Sequence, residues 1–281
     1  MHIDCVVLDL DGTFTDLADE APPFQAAFPR LVADLVGKDL TSAWPEAERR
    51  VRELSPELGW TVEGHVVAPA DADPYILASC VAQLIFDRLL LLADPALRSD
   101  VTTTLYRRAY QHTGAAFRPD AKAVLEALLL RVPHIHFVTN AAEDAAQRKL
   151  ASLAPRGLEK LSLRGDARKF LIGPASTPDE RFTRIPESKQ IPGLTRPVLL
   201  ERGRYFDALA AIWKETGARP ETTLVCGDIF ELDLALPAEL GAQVHLIRRP
   251  QTFAYELEAI RALGPRGGVS DTLTPLLARL G

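Results

Sequence analysis

The sequence predicts an α/β protein, a parallel sheet with helices on both faces and an inserted, mostly helical region. Two observations predict it. Short β-rich apolar runs alternate with helix-patterned segments, and about a hundred residues between the first two runs carry helical spacing of their own.

The first run covers residues 5–8. The second, 135–138, follows a helical pattern over 120–130 and a break at Pro133. The third, 223–226, follows a helix around 205–216 that stops at Gly217. A fourth, 244–247, follows Gly241, and a last helical stretch spans 253–263. Within the insertion, residues 24–36, 47–54, 76–92 and 99–113 show helical periodicity, punctuated by Pro22, Pro23, Pro56, Pro69, Pro74 and Pro95. A structureless loop of that size is rare in a compact domain, so residues 16–117 read as a helical cap and residues 1–15 with 118–281 as the core. Between 170 and 200, prolines at 174, 178, 186, 192 and 197 lie between two short apolar runs, which predicts a hairpin-like excursion from the core.

Bulk properties narrow the function. At 281 residues, 47% hydrophobic and 25% charged, the chain is an ordinary globular protein. Its net charge of −6 supplies no basic field for nucleic acid or an acidic membrane surface, and Arg248-Arg249 reads as part of a solvated face. Cys5, Cys80 and Cys226 are too scattered for a disulfide framework or a zinc knuckle, which fits a reducing cytoplasm. The N-terminus lacks a signal-peptide pattern, and the apolar stretch 75–86 is too short to span a bilayer. His134 and His136 alternate with apolar neighbours and lack metal-ligand spacing, so they read as strand histidines.

The chemistry lies at the ends of the runs. In an open α/β sheet, ligands bind beyond the carboxyl ends of the strands, so the polar residues there converge. They are Asp9, Asp11, Gly12 and Thr13 after the first run, Thr139 and Asn140 after the second, and Asp228 with Asp233 after the third. Carboxylates near a core are costly unless paired or metal-bound. Asp9 is the candidate nucleophile toward phosphorus, and Asp11 can protonate the leaving oxygen and then activate water. Negative charges repel, so a hard cation is expected: Mg²⁺, held by Asp9, Asp11, Asp228 and Asp233. Gly12 lets the chain leave the strand sharply, and Thr139 or Asn140 would open a helix whose free N–H groups favour a phosphate oxygen.

These residues resemble the haloacid dehalogenase-like superfamily. The first motif appears as Asp9-Leu10-Asp11-Gly12-Thr13, the second as the strand ending in Thr139-Asn140, and the fourth as Gly227-Asp228 with Asp233. The resemblance implies a Rossmann-like core, Mg²⁺ dependence and a helical cap inserted after the first motif. Asp11 implies a phosphatase or phosphomutase, because dehalogenating members lack it. The third motif expects a lysine shortly before the fourth, and none occurs between Lys189 and Lys214. Arg202, Arg204 and Lys169 are the candidates. Lys169 is favoured, since an arginine clamps a phosphate but cannot mimic a compact ammonium between carboxylates.

The expected function is therefore a cytoplasmic, Mg²⁺-dependent phosphohydrolase acting on a small phosphorylated metabolite. Asp9 and Asp11 would be catalytic; Thr139, Asn140, Lys169 and Arg202 would bind substrate. A phosphomutase using the same residues, or a binding protein that retains the fold, are the alternatives. Neither nucleic acid nor membrane is expected as a partner.

Overall fold

The computed structural model of the chain describes residues 2–280. Residues up to Asp16 and from Phe117 onward form one unit, and Leu17–Ala116 form another. The core unit opens with β1 (Cys5–Leu8), whose four residues are all buried. The second unit then holds helices α1 (Leu17–Glu20), α2 (Pro22–Val36) and α3 (Ala43–Leu54), strands β2 (Gly59–Val62) and β3 (His65–Pro69), and helices α4 (Pro74–Arg88) and α5 (Pro95–Tyr110). Back in the core come α6 (Ala121–Arg131), β4 (His134–Val138), α7 (Glu143–Leu153) and β5 (Leu161–Arg164). Then follow α8 (Glu180–Thr183), β6 (Ser188–Lys189), β7 (Val198–Leu199), α9 (Gly203–Thr216), β8 (Thr223–Gly227), α10 (Ala235–Glu239), β9 (Gln243–Ile247), α11 (Ala254–Arg261) and β10 (Gly267–Ser270).

Six strands form one parallel sheet in the order β10-β9-β8-β1-β4-β5. Strand alternation divides its side chains between two layers. Cys5, Val7 and Val225 pack with Tyr205, Leu209 and Ile260 from α9 and α11. Val6, Leu8 and Cys226 pack with Val124 and Leu128 of α6 and Leu150 of α7. Both faces are covered, as the continuous apolar runs require.

The second unit is not wholly helical. β2 and β3 form an antiparallel hairpin whose turn, Glu63-Gly64, has φ of 49° and 83°. Two positive φ values give a turn twisted to match its strands. The helices begin earlier than apolar spacing alone suggests. Asp73 accepts the Ile76 N–H at 2.6 Å and Asp94 that of Leu97 at 2.8 Å, each followed by proline at the first helical position. α4 is buried nearly all round because α2, α3, α5 and β2 pack against it. Among the described residues no helix is long and apolar enough to cross a membrane.

In the proline-rich stretch, β6 and β7 pair as a two-stranded antiparallel ribbon, preceded by the short α8. A parallel bridge between Gly173 and Arg202 ties its root.

The sheet also buries two histidines. His136 and His245 have their pKa lowered to about 4, chiefly by burial, which disfavours the imidazolium. The unfolded chain takes up these protons near pH 6.5 and the folded chain does not, so stability falls as pH drops from about 6.5 to 4. Unfolding free energies measured by denaturant titration across that range should fall less steeply for His245→Gln than for the parent, the difference approaching about 3 kcal/mol.

Candidate active site

The register explains why the motifs meet. Leu8 lies opposite Phe137 on one side and Cys226 on the other, so Asp9, Val138 and Gly227 follow at the same level of the sheet. The Asp9 N–H donates to the Cys226 carbonyl at 2.9 Å, extending the ladder by one step. Asp228 and Thr139 come one residue later on the flanking strands. The chain then turns at Gly12, whose φ of 84° a side chain would resist. That turn brings the Thr13 hydroxyl within 3.0 Å of Asp9 Oδ2 and 3.3 Å of Asp228 Oδ1.

Asp9, Asp228 and Asp233 form a buried cluster in which one oxygen from each lies within 4.8 Å of the others. Asp233 arrives on a π-helical turn over Phe230–Leu234, and its Oδ2 accepts the Ile229 N–H at 3.1 Å. Gly227 makes room for it. A Cβ there would stand 2.3 Å from Asp233 Cβ and 2.6 Å from its Oδ2.

Lys169, 1% exposed, enters this cluster. Its Nζ lies 2.6 Å from Asp9 Oδ1 and 2.6 Å from Asp233 Oδ1. Burial opposes the ammonium, but Asp233 and Asp9 outweigh it and hold the Lys169 pKa above its ordinary value. Burial pushes Asp9 up to about 7, with Asp233 adding to the rise against the pull of Lys169. The cluster sets three carboxylates against the ammonium bonded to two of them. That leaves two negative charges in a space nearly closed to water, so an all-oxygen donor set with this balance fits a hard dication.

Of the remaining expected residues, Arg202 and Asn140 bond the main chain of Lys169, and the others lie elsewhere. Arg202, expected to bind substrate, is fully buried; it donates through Nη1 to the Lys169 carbonyl at 2.7 Å and through Nε to the Leu199 carbonyl at 3.1 Å. Arg204 is exposed on α9. Asn140 Oδ1 accepts the Lys169 N–H at 2.7 Å, so that part of its amide braces the lysine. Thr139 is buried and accepts the Ala141 N–H at 3.2 Å, while α7 itself begins only at Glu143. The Asp11 carboxylate, expected in the metal shell, does not join the cluster. Its Oδ1 lies 2.6 Å from Lys149 Nζ, on α7.

Lys149 and Arg249 are the residues that sequence reasoning missed or misplaced. On α7, Ala146, Lys149 and Leu150 share the buried face, and a lysine at that helical spacing is the signal that could have found it. Arg249, read as solvated, is 6% exposed, because β9 ends beside it and its guanidinium turns in toward Glu256; its neighbour Arg248 does face solvent.

The tight fit at Gly227 generates a prediction. Gly227→Ala should force Asp233 from its place and lower stability by about 1–3 kcal/mol, measured by chemical denaturation.

No family model and no curated protein matches the sequence. Solved structures do match. YfnB of Bacillus subtilis, classed with the HAD hydrolases and crystallised with magnesium, aligns over 100% of this chain and 99% of its own, at 14% identity and a TM-score of 0.53. A phosphoglycolate phosphatase assigned by prediction, from Haemophilus somnus 129PT, gives 15% identity and a TM-score of 0.55 over 99% of this chain and 98% of its own. SP0104 of Streptococcus pneumoniae, a hydrolase of the haloacid dehalogenase-like family, gives 16% and 0.55 over 99% of both chains. With its six-stranded parallel sheet and the unit inserted after β1, the chain carries the haloacid dehalogenase-like hydrolase fold.

Proposed function

We propose that the protein is a Mg²⁺-dependent phosphohydrolase that acts on a small phosphorylated metabolite through a phosphoryl group carried on Asp9. The observation that supports this most is the contact of Lys169 Nζ with both Asp9 and Asp233 inside a cluster completed by Asp228. Similarity to the magnesium-bound YfnB structure adds to it.

Asp9 and Asp228 would hold the cation, which when bound supplies positive charge that draws a phosphoryl oxygen toward Asp9. Lys169 neutralises Asp9 and keeps its carboxylate aimed, and Asp233 holds Lys169 in turn. Asp9 attacks phosphorus, the bond to the leaving oxygen breaks, and an acylphosphate forms on the Asp9 side chain. Asp11, entering the step as the carboxylic acid, gives its proton to the leaving oxygen, then as the carboxylate takes one from the water that attacks the acylphosphate, releasing inorganic phosphate and restoring both Asp9 and the acid form of Asp11. Thr139 and the Asn140 N–H that follows it supply hydrogen bonds to phosphoryl oxygens. Asp11 is oriented by Lys149, so this second lysine acts on proton transfer.

Phosphate release from a panel of phosphomonoesters, with Mg²⁺ and with chelator, tests the reading. Turnover should require the metal, and Asp9→Asn should lower kcat by at least about 10³-fold, since the nucleophile is lost. Absence of Mg²⁺-dependent phosphate release across the panel would reject a phosphohydrolase. A second measurement concerns Lys149. Lys149→Met should slow alkyl phosphates, whose leaving oxygen needs a proton, by about 10²-fold. Aryl phosphates with good leaving groups should change little.

A further inference from the structure

Arg249 and Glu256 take no part in the chemistry above, yet they are 6% and 0% exposed. Arg249 lies two residues beyond β9, the strand beside β8, and Glu256 lies in the first turn of α11. The guanidinium Nη2 donates to both Glu256 oxygens, at 3.1 and 2.9 Å. Nη1 donates to the main-chain carbonyl of Asp228. Glu256 Oε1 also accepts the Phe230 N–H at 3.0 Å, and Oε2 accepts the Phe253 N–H at 2.9 Å.

The pair thus grips the main chain on both sides of Ile229. A buried ion pair seldom stabilises a fold more than apolar packing of the same shape would. What this pair does is fix Asp228 O and Phe230 N, which leaves the Asp228 Cα little freedom. The side chain of Asp228 is tied from the other side, where Thr13 Oγ1 donates to its Oδ1.

We propose that the Arg249–Glu256 pair is a positioning device for Asp228 that sets the selectivity of the site for Mg²⁺ over larger divalent cations. This rests on the metal role given to Asp228 above. Mg²⁺ demands near-octahedral ligands at short range, whereas Ca²⁺ accepts longer and less regular ones. A loosened Asp228 therefore costs Mg²⁺ more than Ca²⁺.

Isothermal titration of Mg²⁺ and of Ca²⁺ into the full-length protein, without substrate, tests this. Arg249→Met and Glu256→Gln should each weaken Mg²⁺ binding by about tenfold or more, as loss of an outer-shell partner does, and leave Ca²⁺ binding nearly unchanged. Arg249→Lys, which keeps one charged donor, should recover part of the Mg²⁺ preference. If Arg249→Met does not fold, Glu256→Gln carries the test, since it keeps the shape of the side chain and removes its charge. A parent protein that binds Mg²⁺ beside variants that keep its Mg²⁺-to-Ca²⁺ ratio would overturn the positioning role and leave the metal reading standing. Equal weakening of both ions would do the same, because it marks general loosening. A parent protein that binds neither ion would overturn the metal role of Asp228 and the proposal with it.

Discussion

The contact on which the site depends is the buried ammonium of Lys169 between Asp9 and Asp233. None of the three would be tolerated alone. An unpaired carboxylate or ammonium in such a place would neutralise itself or destabilise the fold. Together they offset part of what burial costs each of them and keep one another aimed. The requirement reaches far along the chain, because Lys169 is 160 residues from Asp9 and 64 from Asp233. The parallel sheet meets it by placing β1 between β8 and β4 in a common register, so that their ends deliver side chains to one place.

Around that contact, further bonds go to the main chain of the segments that carry the charges. Asn140 and Arg202 hold the amide and the carbonyl of Lys169. The Tyr205 hydroxyl donates to the Asp233 carbonyl at 2.9 Å. Arg196, from the proline-rich excursion, makes a two-pronged pair with buried Glu231, which also accepts from the Tyr255 hydroxyl. Fixing the backbone removes freedom from short side chains such as Asp more firmly than fixing their tips, since few rotatable bonds remain. The excursion is thus part of the scaffold of the site, as is α9, whose start supplies Arg202 and Tyr205.

Much of this was legible in the sequence, for identifiable reasons. A run of apolar residues that ends in Asp9, Thr139 or Asp228 advertises both a buried strand and a polar tip, and the rule that ligands gather at such tips does the rest. The choice among Lys169, Arg202 and Arg204 was harder. Spacing along the chain says nothing about which way a side chain faces, and Arg202 faces inward while Arg204 faces out. β10 has no sequence signature because Gly267-Gly268 has little strand propensity, and the strand forms as the edge partner of β9. The hairpin of β2 and β3 is carried by Glu63-Gly64 between two short β-rich runs, inside a region whose dominant periodicity is helical. Arg249 was misread because two adjacent arginines at a strand end point opposite ways, and composition cannot say which one turns in.

The bridge between Gly173 and Arg202 has a wider meaning. It knots the excursion at its neck, and the Gly173 N–H and the Gly203 N–H each donate across that neck. The part of the excursion that does not bond back to the core can lengthen or shorten while Lys169, which precedes Gly173, stays in place. Distance along the chain between Lys169 and Asp233 is then set by the excursion, whereas their distance in space is set at the neck.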